Sequence, residues 1–161
     1  MRYIMKLMSE LSVENLVQKY LSDEMIIQLA TTSNNQPWLC NLHFIADEQS
    51  NVYWISKSSR RHSQEIVDNP NVAIAIAIQT EKPLVGLQAE GVAEQIAEPT
   101  KVRTIMDAYM ERHGTDASFV DSIVAGTNEH KLYVFHPKRF SLFDQVNFPD
   151  QPQQMWLVNN K

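Results

Sequence analysis

Apolar and polar positions along the chain change period several times, and each change predicts an element. In SVENLVQKYLSD, Leu16, Val17, Tyr20 and Leu21 recur at helical spacing, and Ser12 stands where a cap belongs. The period then shortens. MIIQLATT, WLCNLHFI and VYWIS are short apolar runs separated by the polar turns SNNQP and ADEQSN, the pattern of three strands. Tight turns favour antiparallel neighbours, because parallel pairing needs long crossovers. The sharpest alternation is NVAIAIAIQT. Val72, Ile74, Ile76 and Ile78 point one way and Ala73, Ala75 and Ala77 the other. The bulky face suits a core, whereas the alanine face admits a flat group or another backbone. LVGLQAEGVAEQI predicts a long strand in which Gly86 and Gly91 mark bends or bulges. PTKVRTIMDAYMERHG predicts a helix, with Pro99 near its start, Gly114 just after its end, and a stripe of Ile105, Met106, Tyr109 and Met110. HKLYVFHP and RFSLFDQV predict two further strands and QMWLV a short last one. Six or more mostly antiparallel strands with three helices make a mainly β, α+β fold: a small barrel with peripheral helices, closed to remove exposed edges.

Composition adds boundaries to this picture. At 161 residues the chain is expected to be one domain, 1–161, large enough to bury a core. Hydrophobic content of 43% and charged content of 20% are those of a globular protein. No apolar run reaches the length of a membrane span. The start, MRYIMKLMSE, lacks the apolar core and cleavage signature of a signal peptide. Residues 1–8 are read as a flexible extension, with Met5 and Met8 as alternative starts, and the expected location is the cytoplasm. The single cysteine, Cys40, excludes an intrachain disulfide and a cysteine-rich zinc site. A net charge of -5 argues against broad nucleic-acid binding, which requires a basic surface.

Against that acidic background SKSSRRHSQEI, residues 56–66, is anomalous. It holds Ser56, Lys57, Ser58, Ser59, Arg60, Arg61, His62 and Ser63 with no acid before Glu65. It follows a strand and leads into a short helix that ends before Pro70. The first N–H groups of a helix have no intrahelical partners and the dipole is positive there. Serine hydroxyls and arginine forks add directed donors, which together suit a phosphate. The same composition also describes a solvated turn with a capping serine. The other candidates point to packing. Cys40 sits inside a strand as a small core residue, and Trp54 and Trp156 read as core or interface residues. The remaining histidines, His43, His113, His130 and His136, show no HExxH spacing, and neither a Walker loop, a GxGxxG fingerprint nor a nucleophile elbow is present.

The order NNQPWLCNLHF, NVYWIS, SRRHSQEIVDNPNVAIAI and LQAEGVAEQI resembles the pyridoxamine 5'-phosphate oxidase-like, FMN-binding split-barrel superfamily. The shared pattern is a Gln-Pro turn, a strand, a Ser/Arg/Lys-rich turn, a helix ending in Asn-Pro, an apolar strand and a following strand with a glycine, here Gly91. It covers residues 25–97, and the tail SLFDQVNFPDQPQQMWLV is similar to a subgroup of small uncharacterised bacterial members. The resemblance implies an antiparallel split β-barrel that dimerises and holds FMN between subunits. It maps the FMN phosphate onto Arg60, Arg61 and His62, with Ser56 at the strand end. It maps the isoalloxazine ring onto Cys40, Asn41, Leu42 and His43, with Gln88 reaching in from the fifth strand. Many members carry lysine where this chain has His62, whose protonation near physiological pH would restore the charge. The C-terminal Arg-x-His signature of true pyridoxamine phosphate oxidases has no counterpart in HPKRFSLFDQ, so that activity is not expected.

The leading expectation is therefore a homodimeric FMN flavoprotein, an oxidoreductase on a small molecule, whose chemistry belongs to the flavin. No residue stands out as an acid or base for turnover, and no metal, nucleic acid or membrane partner is expected. The alternatives are a non-catalytic binding or sensing barrel that holds FMN, haem or a deazaflavin, and a cofactor-free barrel that binds protein partners.

Overall fold

A computed structural model describes residues 12–158; the extension read at 1–8 lies outside them. In chain order the elements are α1 (Val13–Asp23), β1 (Ile26–Ser33), β2 (Gln36–His43), β3 (Ile45–Ala46), β4 (Val52–Lys57), α2 (Arg61–Asp68), β5 (Asn71–Gln79), β6 (Val85–Ile96), α3 (Pro99–His113), α4 (Ala117–Val124), β7 (His130–Asp144) and β8 (Gln153–Leu157). The strands make one sheet in the order β2-β1-β5-β6-β7-β4-β3, with β8 on β7, and every pairing is antiparallel. The sheet curls into a half-barrel with four helices among the described residues, the expected α+β split barrel. Among the described residues no helix is long and apolar enough to cross a membrane.

Local chemistry explains the elements. Ser12 Oγ accepts the Asn15 N–H at 3.1 Å and caps α1. Asn34 and Asn35 both have positive φ, 50° and 60°, and join Ser33 to its partner Gln36 in a two-residue hairpin turn. Glu98 accepts the N–H groups of Thr100 and Lys101 at the start of α3, and Gly114 ends that helix with φ 66°.

Two apolar clusters hold the fold. The larger fills the concave side of the sheet with Val72, Ile74 and Ile76 of β5, Ile27 and Leu29 of β1, and the fully buried Trp54, Phe44, Phe135 and Phe140. The smaller lies beneath α3 and α4 and joins Met106, Tyr109, Val120 and Ile123 to Tyr53, Leu132 and Val134. β4 and the first half of β7 are thus covered on both faces, which is why VYW and LYVF are unbroken apolar runs. On the convex side of β5, Ala73 and Ala77 are exposed and Ala75 half-buried. Their cross-strand partners are Ala30, Gln28, Gln88, Glu90 and Gly86.

Three expectations change. HKLYVFHP and RFSLFDQV form one strand, because Pro137 and Lys138 occupy a bulge: Glu90 pairs with Arg139 and Gly91 with Pro137, leaving Lys138 unmatched. β3, only two residues long, splits the end of WLCNLHFI from β2. Residues 117–124 form α4, capped by Asp116, where no helix is predicted.

Candidate functional site

Among the described residues β2 has β1 as its one strand partner, which leaves its other edge free of them. The sheet curls until that edge faces the end of β4, and α2 packs into the gap. Side-chain contacts to β1, β2 and β4 hold the helix there. Thr31 of β1 donates to Glu65. His62 Nε2 lies 2.7 Å from Ser56 Oγ at the end of β4, and His62 Nδ1 lies 3.5 Å from Cys40 Sγ on β2. Between β2, β4 and the start of α2 an open groove of about 490 Å³ remains, within the range of small-molecule sites.

Seven of the nine residues named from the sequence line this groove: Cys40, Asn41, Leu42, Ser56, Arg60, Arg61 and His62. Asn41 turns its amide to the convex face, where Gln28 Nε2 donates to it at 3.4 Å. His43 and Gln88 lie elsewhere. Strand alternation puts both on the convex face; His43 meets His113 edge-on at 5.4 Å, and Gln88 pairs with Ala75. The register of β6 thus turns Gln88 to the wrong side for a groove within one chain. Four further residues line the groove: Lys57, from the cationic stretch, and three without a signal in the sequence, Trp38 and Ile55 as apolar walls and His130 from β7.

The cations at the mouth are unequal. Lys57 Nζ pairs with Glu129 at 3.0 Å. Arg61 Nε donates to Glu65 at 2.7 Å while its guanidinium lies over the Trp38 ring, 4.5 Å from the centroid. Arg60 has no carboxylate partner among the described residues. It occupies the N-cap of α2 without a side-chain capping bond, so the first-turn N–H groups have no capping oxygen from it. In the same turn Ser63 Oγ is buried without a hydrogen-bond partner among the described residues.

Titration behaviour separates internal from external groups. Burial, and then the charge of Arg60, push the His62 pKa below its ordinary value, with Glu65 acting in the opposite direction. His62 is therefore a neutral strut across the split, without the charge that protonation would give it. Burial, then Glu65, push the Cys40 thiol up to about 11, so it is no resting thiolate. Burial would raise Glu65, but the Thr31 and Arg61 bonds and the nearby positive charge outweigh it and hold the carboxylate ionised. His130 Nδ1 lies 2.9 Å from Asn128 Oδ1, whose amide nitrogen donates to Ser122 Oγ at 2.8 Å. This fixes the proton of a neutral ring on Nδ1 and leaves Nε2 as the basic nitrogen. Among the described residues no group of three or more metal-binding side chains is assembled.

No curated protein matches the chain. Solved structures share its fold. A conserved hypothetical protein, Rv2991, from Mycobacterium tuberculosis aligns at TM-score 0.73 and 18% identity over 86% of this chain and 88% of that one. A heme binding protein from Mycobacterium smegmatis aligns at 0.73 and 14% over 91% and 58%. HutZ, the heme storage protein of Vibrio cholerae, aligns at 0.65 and 16% over 90% and 94%. At such identities these likenesses speak for the fold alone. The family model for pyridoxamine 5'-phosphate oxidase matches residues 13–143, from α1 through all but the last residue of β7, and the chain belongs to that family.

Proposed function

We propose that this chain binds FMN in the groove between β2 and β4 and serves, as a homodimer, as an oxidoreductase on a small molecule. The observation that carries this reading is the convergence of Arg60, Arg61 and the first turn of α2 at one end of a groove walled by a free strand edge. The donor set fits a phosphate: Arg60 without a carboxylate partner, the Arg61 fork, and first-turn N–H groups. The free backbone edge of β2 offers donors and acceptors to the rim of a heterocycle, and Trp38, Leu42 and Ile55 offer apolar walls. When bound, the flavin would supply the electron-transfer chemistry. The chain would anchor the phosphate, orient the ring and shield one side of it. The alanine face of β5 is the surface proposed for a second copy.

The test is a titration with FMN and riboflavin in parallel. FMN is expected to bind at least about tenfold more tightly, as one charge-assisted phosphate contact would give. Equal affinities, or no uptake of either, would reject the reading. A protein that binds FMN but is not reduced by a reduced nicotinamide under anaerobic conditions would be a holder rather than an enzyme of that kind.

One observation favours haem as a second reading. His130 reaches the groove with its Nδ1 proton held by Asn128, the arrangement that orients an imidazole for iron through Nε2. Hemin titration followed in the Soret band tests it: His130→Ala should abolish the histidine-ligated spectrum, and an unchanged spectrum would remove this reading.

A further inference from the structure

The guanidinium of Arg61 is fixed on two sides. Its Nε–H is taken by Glu65, and one planar face lies over Trp38. A guanidinium so held has one edge left, the one carrying the two terminal nitrogens, whose parallel N–H bonds match two phosphate oxygens. Glu65 is itself held. It is buried on α2, and Thr31, buried on β1, donates to its other oxygen. The chain of contacts from β1 to the groove is thus Thr31 to Glu65 to Arg61, with Trp38 of β2 as the floor.

This arrangement has an electrostatic cost. Lys57, Arg60 and Arg61 bring three positive charges to the corner, and Glu65 and Glu129 return two negative ones. A carboxylate that only opposed the ligand would be a poor thing to bury at an anion site. We infer that Glu65 is a positioning residue: it turns the terminal nitrogens of Arg61 toward the ligand and so sets the preference for a phosphorylated over an unphosphorylated flavin. The inference rests on the FMN reading for its ligand, but its geometry belongs to the unliganded chain.

Glu65→Gln keeps an oxygen for the Arg61 Nε–H and removes the charge; Glu65→Met keeps the volume and removes both. Positioning predicts that the Gln variant retains the FMN-over-riboflavin preference, or exceeds it, while the Met variant loses about tenfold. If Glu65 were only opposing charge, both variants would gain preference alike. If it were only packing, both flavins would weaken together in step with the loss of Tm. Either result overturns the inference.

A second readout needs no ligand. The Arg61 Nε–H proton should give a distinct, slowly exchanging NMR signal in the wild type and in Glu65→Gln, and merge with the solvent-exposed arginines in Glu65→Met. Should the Met variant not fold, Thr31→Val replaces it; it removes the hydroxyl that fixes the carboxylate, and is expected to weaken the preference about threefold and the NMR protection with it. An unchanged preference and an unchanged signal in that variant would overturn the proposal. If the wild type shows no preference for FMN, the cofactor reading fails, and the Arg61 signal still decides the role of Glu65.

Discussion

Lys57 and Arg60 are near neighbours in sequence and unequal in what they offer an anion. Lys57 already has Glu129 at 3.0 Å, whereas Arg60 has no carboxylate within reach among the described residues. Arg60→Ala is therefore expected to weaken FMN binding by about 1.5–3 kcal/mol, and Lys57→Ala by less than about 1 kcal/mol. Equal losses in parallel titrations would show that the ion pair does not govern the ranking. The cationic turn itself was legible in the sequence, because so many donors before the first acid of a helix is unusual in an acidic chain. The partners were not. Glu65 reads as the ordinary acid of a surface helix, and only the fold shows it buried against Thr31. His130 lies far along the chain and reaches the groove only because β7 pairs with β4, His130 opposite Lys57. His62 lines the groove, but its neutral character comes from its seat between Cys40 and Ser56, a matter of packing that spacing does not reveal.

Elements were readable where a period persisted and obscure where it was short or interrupted. The alternation of β5 is borne out from Asn71 to Ala77, and a register shift interrupts it at Ile78. α4, eight residues long, carries too few turns for a helical stripe to show, and its signals are the Asp116 cap and Gly126 at φ 72°. β7 reads as two strands on paper because proline is a poor strand residue, yet Pro137 lies at the point where β7 passes from β4, last paired at Phe135, to β8, first paired at Arg139. Its missing N–H is tolerated in that interval. Gly91 faces the same bulge. A Cβ there would stand 2.1 Å from the His136 carbonyl oxygen and 2.7 Å from the Phe135 ring. Gly91→Ala is expected to cost at least about 2 kcal/mol in urea unfolding, since the obstacle is backbone. At the other end of β7, Asp144 is buried and accepts from Tyr20 of α1 at 2.7 Å and from the N–H groups of Val146 and Asn147. Tyr20→Phe removes one donor from a buried carboxylate and should cost about 1–3 kcal/mol. A midpoint unchanged within error would show that the Tyr20–Asp144 bond does not hold α1.

At the scale of the molecule, stability should fall with acid in two stages. The pKa values of His62, His113 and His130 are lowered from 6.5, first by burial in each case. The unfolded chain therefore binds their protons more readily, and the contribution, complete above 6.5, is lost as pH falls through the folded values. Glu65 and Asp144 are lowered from 4.5 and 3.8, so their contribution persists to lower pH and is lost below those values. Urea midpoints measured from neutral to acidic pH should show a first decline below 6.5, reduced in His62→Gln, and a second below 4.5; a flat profile between the two would contradict the neutral-strut account of His62. The convex alanine face makes a separate prediction. If the proposed dimer forms through this face, the wild type is dimeric in light scattering and Ala75→Arg is monomeric with the fold intact; a dimeric Ala75→Arg would place the interface elsewhere.

The division of one edge of β7 between β4 and β8 has a consequence for the far end of the chain. Among the described residues β8 alone occupies that edge of residues 139–143. A protein cut before Gln153 would keep every residue that lines the groove but leave the backbone N–H and C=O groups of alternate residues on this segment unsatisfied beside Phe140 and Leu142, an adhesive seam open to any extended peptide. The closing segment is thus a built-in protective cover, and its loss should appear first as self-association rather than as loss of ligand.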